Sequence, residues 1–192
     1  MNEKISLRNR FIQTILRTDK EMTWYFDSHI HLSDPTYSSD MKFILKEMDY
    51  LKIKACCVSM NNKNSLQTLK LAKKSNLVLP FIGIHPECVN DELEQMTNMI
   101  EKNHQSLSGI GEIGLDYHWH KKEKDFKKQK EVFKKLLSLA KKLDKPVFIH
   151  SRNAVNDVLE LLKDYKLKII LHSFEGNKKQ IHEAMNQGYY FS

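Results

Sequence analysis

The chain has 192 residues, 41% apolar and 29% charged, which describes an ordinary soluble globular protein with length enough for one domain and a buried core. No run approaches the roughly 18 apolar residues of a membrane span, and three cysteines (Cys56, Cys57 and Cys88) without a C-x-x-C pair exclude a disulfide framework and suit a reducing cytoplasm. The net charge of +7, mostly lysine, permits a polyanionic partner such as nucleic acid without requiring one.

Residues 1–22 read as an N-terminal helical extension. Phe11, Ile12, Ile15 and Leu16 follow helical spacing among Arg8, Arg10 and Arg17, but the apolar stretch is too short and broken for a secretory signal. Glu3, Asp19 and Glu21 are more acid than an Arg-rich transit peptide carries, and Met22 offers an alternative start.

From residue 24 onward the chain alternates. Short β-rich apolar runs occur at 24–31, 54–60, 77–84, 107–114, 146–150, 168–173 and 189–192, with amphipathic stretches of helical period between them. Ser38 predicts the start of a helix over 39–52, and Asn90 the start of one over 91–103. The clearest helix is 123–143, with Phe126, Phe133, Leu136, Leu137, Ala140 and Leu143 on one face and Pro146 just past its end. Its many lysines suit a solvated surface, or attraction to a polyanion. Cys56 and Cys57 fall within an apolar run, as small buried hydrophobes.

Strands alternating with helices predict a parallel α/β fold. No Gly-rich phosphate turn follows the first strand, which argues against a dinucleotide-binding sheet. Polar residues recur at the carboxyl ends of several strands. A TIM (β/α)8-type barrel brings all such ends to one rim, whereas an open sheet spreads them.

Those strand ends carry the chemistry. Asp27-Ser28-His29-Ile30-His31 sets two imidazoles on one strand face, about 6.6–6.8 Å apart at Cα, close enough for both rings to turn onto one ion. Glu112 ends up within the fourth strand, His150 in the fifth and His172 in the sixth. Each taken alone could be a locally hydrogen-bonded residue. Together they are hard to explain without a cation, because an unpaired carboxylate among apolar strands costs several kcal/mol. Arg152 leans to the same face as His150, either to bind a phosphate oxygen or to satisfy a carboxylate such as Asp116. His85 closes the third strand as a substrate contact or a loop residue before Pro86, and Asp116 can orient a ligand histidine from behind.

These segments (Asp27-Ser28-His29-Ile30-His31, Gly83-Ile84-His85-Pro86, Gly111-Glu112-Ile113-Gly114-Leu115-Asp116-Tyr117, Pro146-Val147-Phe148-Ile149-His150-Ser151-Arg152 and His172-Ser173-Phe174) occur in an order that resembles the TatD family of metal-dependent deoxyribonucleases, within the amidohydrolase superfamily. The resemblance runs from about residue 24 to the last residue. It implies two divalent ions (zinc, manganese or magnesium). His29 and His31 would hold the first with Glu112, the catalytic bridge, and His150 and His172 would hold the second. It also implies DNA as substrate, cleaved by a metal-bridged hydroxide. The same cluster would serve an amidohydrolase acting on a small amide or ester. However, a carboxylated lysine would favour that reading, and Glu112 occupies its place.

The family's pattern continues past a seventh strand to an eighth, whose Glu-Thr-Asp segment supplies a further ligand and proton acceptor. This chain ends at Tyr189-Tyr190-Phe191-Ser192, and a barrel of this type usually takes about 250 residues. The expectation is therefore an incomplete barrel over residues 23–192, with about seven strands and open edges that can pair with another chain. Loss of a general base costs about 10²–10⁴ in rate, so a catalytically impaired, metal-binding remnant is a third reading.

Overall fold

Every apolar run predicted as a strand overlaps one in the computed structural model, which describes residues 23–119 and 122–192. The strands are β1 (Tyr25–Ile30), β2 (Ile53–Val58), β3 (Val78–Ile82), β4 (Gly109–Asp116), β5 (Val147–Arg152), β6 (Ile169–His172) and β7 (Tyr190–Phe191). The helices between them, among the described residues, are α1 (Met41–Tyr50), α2 (Asn62–Lys74), α3 (Leu93–Asn103), α4 (Glu123–Leu143), α5 (Val155–Leu162) and α6 (Lys178–Asn186). The expected N-terminal extension, residues 1–22, lies outside the described residues. No helix among them is long and apolar enough to cross a membrane.

All pairings are parallel and follow chain order from β1 to β7. Neighbouring strands lie about 4.7–4.9 Å apart, so a flat sheet would hold β1 and β6 roughly 24 Å apart. Instead the His29 ring of β1 stacks on the His172 ring of β6 with centroids 3.4 Å apart. The sheet is therefore curled into a partial barrel, with its strand ends gathered at one rim. Among the described residues β1 and β7 do not pair with each other, and Tyr25, Phe26, Tyr190 and Phe191 stand exposed on these edge strands.

Helix α4 has the predicted bounds, for reasons visible in its residues. Glu123 and Asp125 sit in the first turn and Lys141 and Lys142 in the last, each favourable to the helix dipole. Asp144 ends it in the left-handed conformation, φ 49°. Its inward stripe buries Val132, Phe133, Leu136, Leu137 and Ala140 against the sheet, where each large side chain contributes about 1.5–3 kcal/mol. Phe126 is only half-buried and packs at a tilt against Tyr117 instead.

Two predicted helix starts are displaced. Ser38 does not cap α1, and Asn90 does not cap α3, which begins at Leu93. A short 3-10 turn at Pro35–Tyr37 intervenes before α1, and Ser38 Oγ donates to the Pro35 carbonyl within it. A second turn, Pro86–Cys88, likewise precedes α3. Elsewhere asparagine caps act as expected of that residue type. Asn61 accepts from the Asn64 amide at α2, and Asn177 forms a reciprocal pair with Gln180 at α6.

Strand β4 is buried at every position and is the backbone of the site. Gly114 stands at φ +150°, and a Cβ there would fall on the His150 carbonyl oxygen of β5. Only glycine lets these two strands approach so closely.

Candidate metal centre

The rim holds an open cleft of about 400 Å³, lined in part by His29, His31, His85, Glu112, His150, Arg152 and His172. Most of these come from the carboxyl-terminal part of a strand or from the residues just beyond it, whereas Glu112 lies in the middle of β4. Met60, Glu87, Ser151, Ser173 and Glu175 complete the lining. These five were not expected, because each belongs to a turn whose path the strand pattern does not reveal, or, for Ser151, lies between two predicted site residues.

Glu112 is the centre of the group and only 2% exposed. Its backbone N–H donates to the Ser59 carbonyl at 3.0 Å, which fixes the side chain's origin. Glu112 Oε2 lies 3.4 Å from His29 Nε2 and 3.5 Å from His31 Nε2, and those two nitrogens are 3.4 Å apart. Donors held tetrahedrally at about 2.0–2.1 Å from a common ion stand about 3.3–3.4 Å from one another, so this triangle has the spacing that a zinc-like cation needs. His29 Nδ1 is buried and has no hydrogen-bond partner. His31 is better placed: its Nδ1 donates to the Val58 carbonyl at 3.1 Å, turning the Nε2 lone pair inward.

On the other side of the carboxylate, Oε1 lies 3.2 Å from His150 Nδ1. His150 Nε2 donates to Asp116 Oδ2 at 2.9 Å. Asp116 is fully buried and held in turn, since Oδ1 accepts from the backbone N–H groups of His118 and Trp119. Gln129, buried on α4, clamps the Asp116 backbone from both sides, accepting from its N–H and donating to its carbonyl, each at 2.9 Å. A lone Gln one turn before the apolar stripe of α4 is the sequence signal for this clamp.

The donors of His29, Glu112 and His172 lie within 4.8 Å of one another, and so do those of His85, Glu112 and His150. His172 thus groups with His29, while His85 joins the side occupied by His150. His172 Nδ1 is 3.2 Å from Ser192 Oγ and its Nε2 is 3.2 Å from Ser173 Oγ. His85 Nδ1 accepts from the Glu87 N–H at 3.2 Å, which leaves the ring proton on Nε2. Arg152 makes no ion pair with Asp116 or any other carboxylate among the described residues. Its guanidinium lies over the Trp119 ring instead, 5.5 Å from the centroid.

Burial pushes the Glu112 carboxyl upward, but hydrogen bonds from His150 and His29 and the neighbouring imidazoles outweigh it, so the group is held well below the ordinary carboxylate range. Burial pushes His85 down to about 4, and burial with the nearby His29 does the same to His172. Both are therefore neutral at pH 7, the form that binds metals or donates a single hydrogen bond. Burial also lowers His150, but Glu112 and Asp116 more than offset it and raise the group overall. The neutral imidazoles of His85 and His172 and the ring nitrogens of His29, His31 and His150 gather around one ionised carboxylate, a donor set that fits a divalent cation.

A family model described as TatD related DNase matches residues 26–192. A Bacillus subtilis protein called "uncharacterized metal-dependent hydrolase YabD" is 31% identical over 173 residues, covering 87% of this chain and 67% of that protein. Human "deoxyribonuclease TATDN3" is 28% identical over 181 residues, covering 86% and 66%. Among solved structures, the crystal structure of the TatD homolog YjjV from Escherichia coli superposes with a TM-score of 0.78 at 26% identity, covering 87% of this chain and 66% of that one. The chain spans about two thirds of the length of these relatives.

Proposed function

The chain belongs to the TatD related DNase family, and on that premise we propose that it is a metal-dependent hydrolase of DNA phosphodiester bonds, removing nucleotides from an end. The observation that carries this reading is Glu112. A buried carboxylate with one oxygen facing His29 and His31 and the other facing His150 suits a bridge between two cations. His29, His31 and Glu112 would hold one ion and Glu112 and His150 the other, with His172, stacked on His29 and the register neighbour of His150, standing between the two. The imidazole-rich set favours zinc or manganese over magnesium. When bound, such ions supply an acidified water as nucleophile and neutralise charge on the phosphoryl oxygens.

The remaining residues prepare the site. The Val58 carbonyl and the Asp116 carboxylate fix the ring orientations of His31 and His150 from behind. His85 presents its Nε2–H as a neutral donor to a phosphate oxygen. Arg152, with no carboxylate partner among the described residues, binds a second oxygen. Among the described residues the donor set has one carboxylate against several imidazoles, which would leave most of the cations' charge for an anionic substrate and supports a phosphodiester over a neutral amide. The name of the human relative, a deoxyribonuclease, supports DNA. The edges of β1 and β7, which pair with no further strand among the described residues, would admit contact with another chain.

The test is hydrolysis of a single-stranded oligonucleotide with zinc or manganese, with and without chelator. Cleavage that chelator stops is expected, and cleavage indifferent to chelator contradicts the reading. Asp116→Asn gives a second test. The Asn amide donates where the carboxylate accepted, which moves the His150 proton to Nδ1 and hides the lone pair facing Glu112. Divalent-ion affinity measured by calorimetric titration is expected to fall about 10–100-fold.

A further inference from the structure

Trp119 is 61% exposed, a costly position for a large apolar ring. It lies three residues past the end of β4, beside Arg152 of the cleft lining. Its position is not left to chance. The Trp119 N–H donates to Asp116 Oδ1 at 3.0 Å, so the carboxylate that orients His150 also anchors the turn that carries the indole. His118 packs edge-on against the ring, with centroids 4.7 Å apart. The Arg152 guanidinium lies over it at 5.5 Å, within range of a cation–π contact, and Arg152 lines the cleft.

We propose that Trp119, backed by Arg152, is a stacking platform for the unpaired base next to the scissile phosphate. This rests on the phosphodiesterase reading above, and it narrows the substrate to single-stranded nucleic acid or a frayed strand end. Any base offers a π-face, so the platform selects an unstacked base rather than a sequence. A base held in a duplex is already stacked on its neighbours and gains less. The coupling to Arg152 places phosphate and base recognition on one connected unit: the cation meets the phosphate and the indole meets the adjoining base.

Stacking on an aromatic side chain contributes about 1–3 kcal/mol per base, so Trp119→Ala is expected to raise KM for a single-stranded oligonucleotide roughly 5- to 150-fold, with the loss falling on KM more than on kcat. Trp119→Phe should restore most of it. On an oligonucleotide lacking the base beside the cleaved phosphate, wild type and Trp119→Ala should become equal. Unchanged KM in Trp119→Ala on the normal strand, or an undiminished difference on the abasic one, overturns the proposal. The sequence has two tryptophans, so in Trp24→Phe the emission is that of Trp119 alone. Quenching by the normal oligonucleotide, and weaker quenching by the abasic one, is expected whether or not the strand is cut. If no oligonucleotide is hydrolysed, the phosphodiesterase reading fails by itself. Absence of quenching then still rejects the platform.

Discussion

Glu112→Gln is expected to lower hydrolysis by at least about 10²–10³-fold, the range lost when one charge-stabilising group is removed from an active site. The substitution keeps the shape and removes the charge. In the wild-type protein both carboxylate oxygens are committed, one toward His29 and His31 and the other toward His150, so a neutral amide cannot serve the two sides alike. The amide nitrogen would face a ring nitrogen as a donor and would not bind a cation. The substitution keeps the side chain's volume, so the far-UV circular dichroism spectrum should match that of wild type and the loss of turnover is read on folded protein. The metal-free unfolding midpoint at neutral pH should fall, because the hydrogen bonds and imidazoles that hold the Glu112 carboxyl well below the ordinary range favour the ionised group in the folded state. Near wild-type turnover in this variant would remove Glu112 from the chemistry.

Divalent ions are expected to stabilise the protein strongly. A ligand that binds only the folded state adds about 2.7 kcal/mol at a hundred times its Kd and about 4.1 kcal/mol at a thousand times. For a chain of this length that corresponds to a rise of roughly 5–15 °C in Tm. The physical source is local. Folding brings together His29, His31, His85, His150 and His172 around a buried carboxylate and crowds the Nε2 atoms of His29 and His31 onto one of its oxygens, an arrangement that a cation between them would relieve. Thermal unfolding in zinc or manganese, compared with chelator, measures the shift. Glu112→Gln should flatten it, and an equal shift in both proteins would mean that the ion binds elsewhere.

The fold was legible where one physical signal dominates. The β-rich runs mark all strands because each is bounded by polar turns, and α4 keeps its predicted bounds because periodicity, end charges and a left-handed cap at Asp144 agree. The helix starts at Ser38 and Asn90 failed because local turn chemistry competes there. Asp34 followed by Pro35, and His85 followed by Pro86, each open a 3-10 turn, with Asp34 accepting from the Thr36 N–H and His85 from the Glu87 N–H. An N-cap residue followed by proline was the signal to read.

The candidate site was legible to the extent that a strand end specifies direction. His29, His31, Glu112, His150 and His172 reach one rim because curling a parallel sheet brings the ends of β1, β4, β5 and β6 together. Distribution within the cluster was not legible. His172 stacks on His29, five strands away in sheet order, through a curvature that no local pattern encodes. The partners that matter behind the donors, Gln129 on Asp116 and the Val58 carbonyl on His31, likewise depend on packing between distant elements.

The most direct measurement is the metal content of the purified chain, by elemental analysis after equilibration with zinc or manganese and removal of free ion. Two bound ions per chain are expected for the wild type, in keeping with a bridging carboxylate, and one or none for Glu112→Gln. A wild-type chain that retains no ion, or a Glu112→Gln chain that retains as much as wild type, would contradict the account.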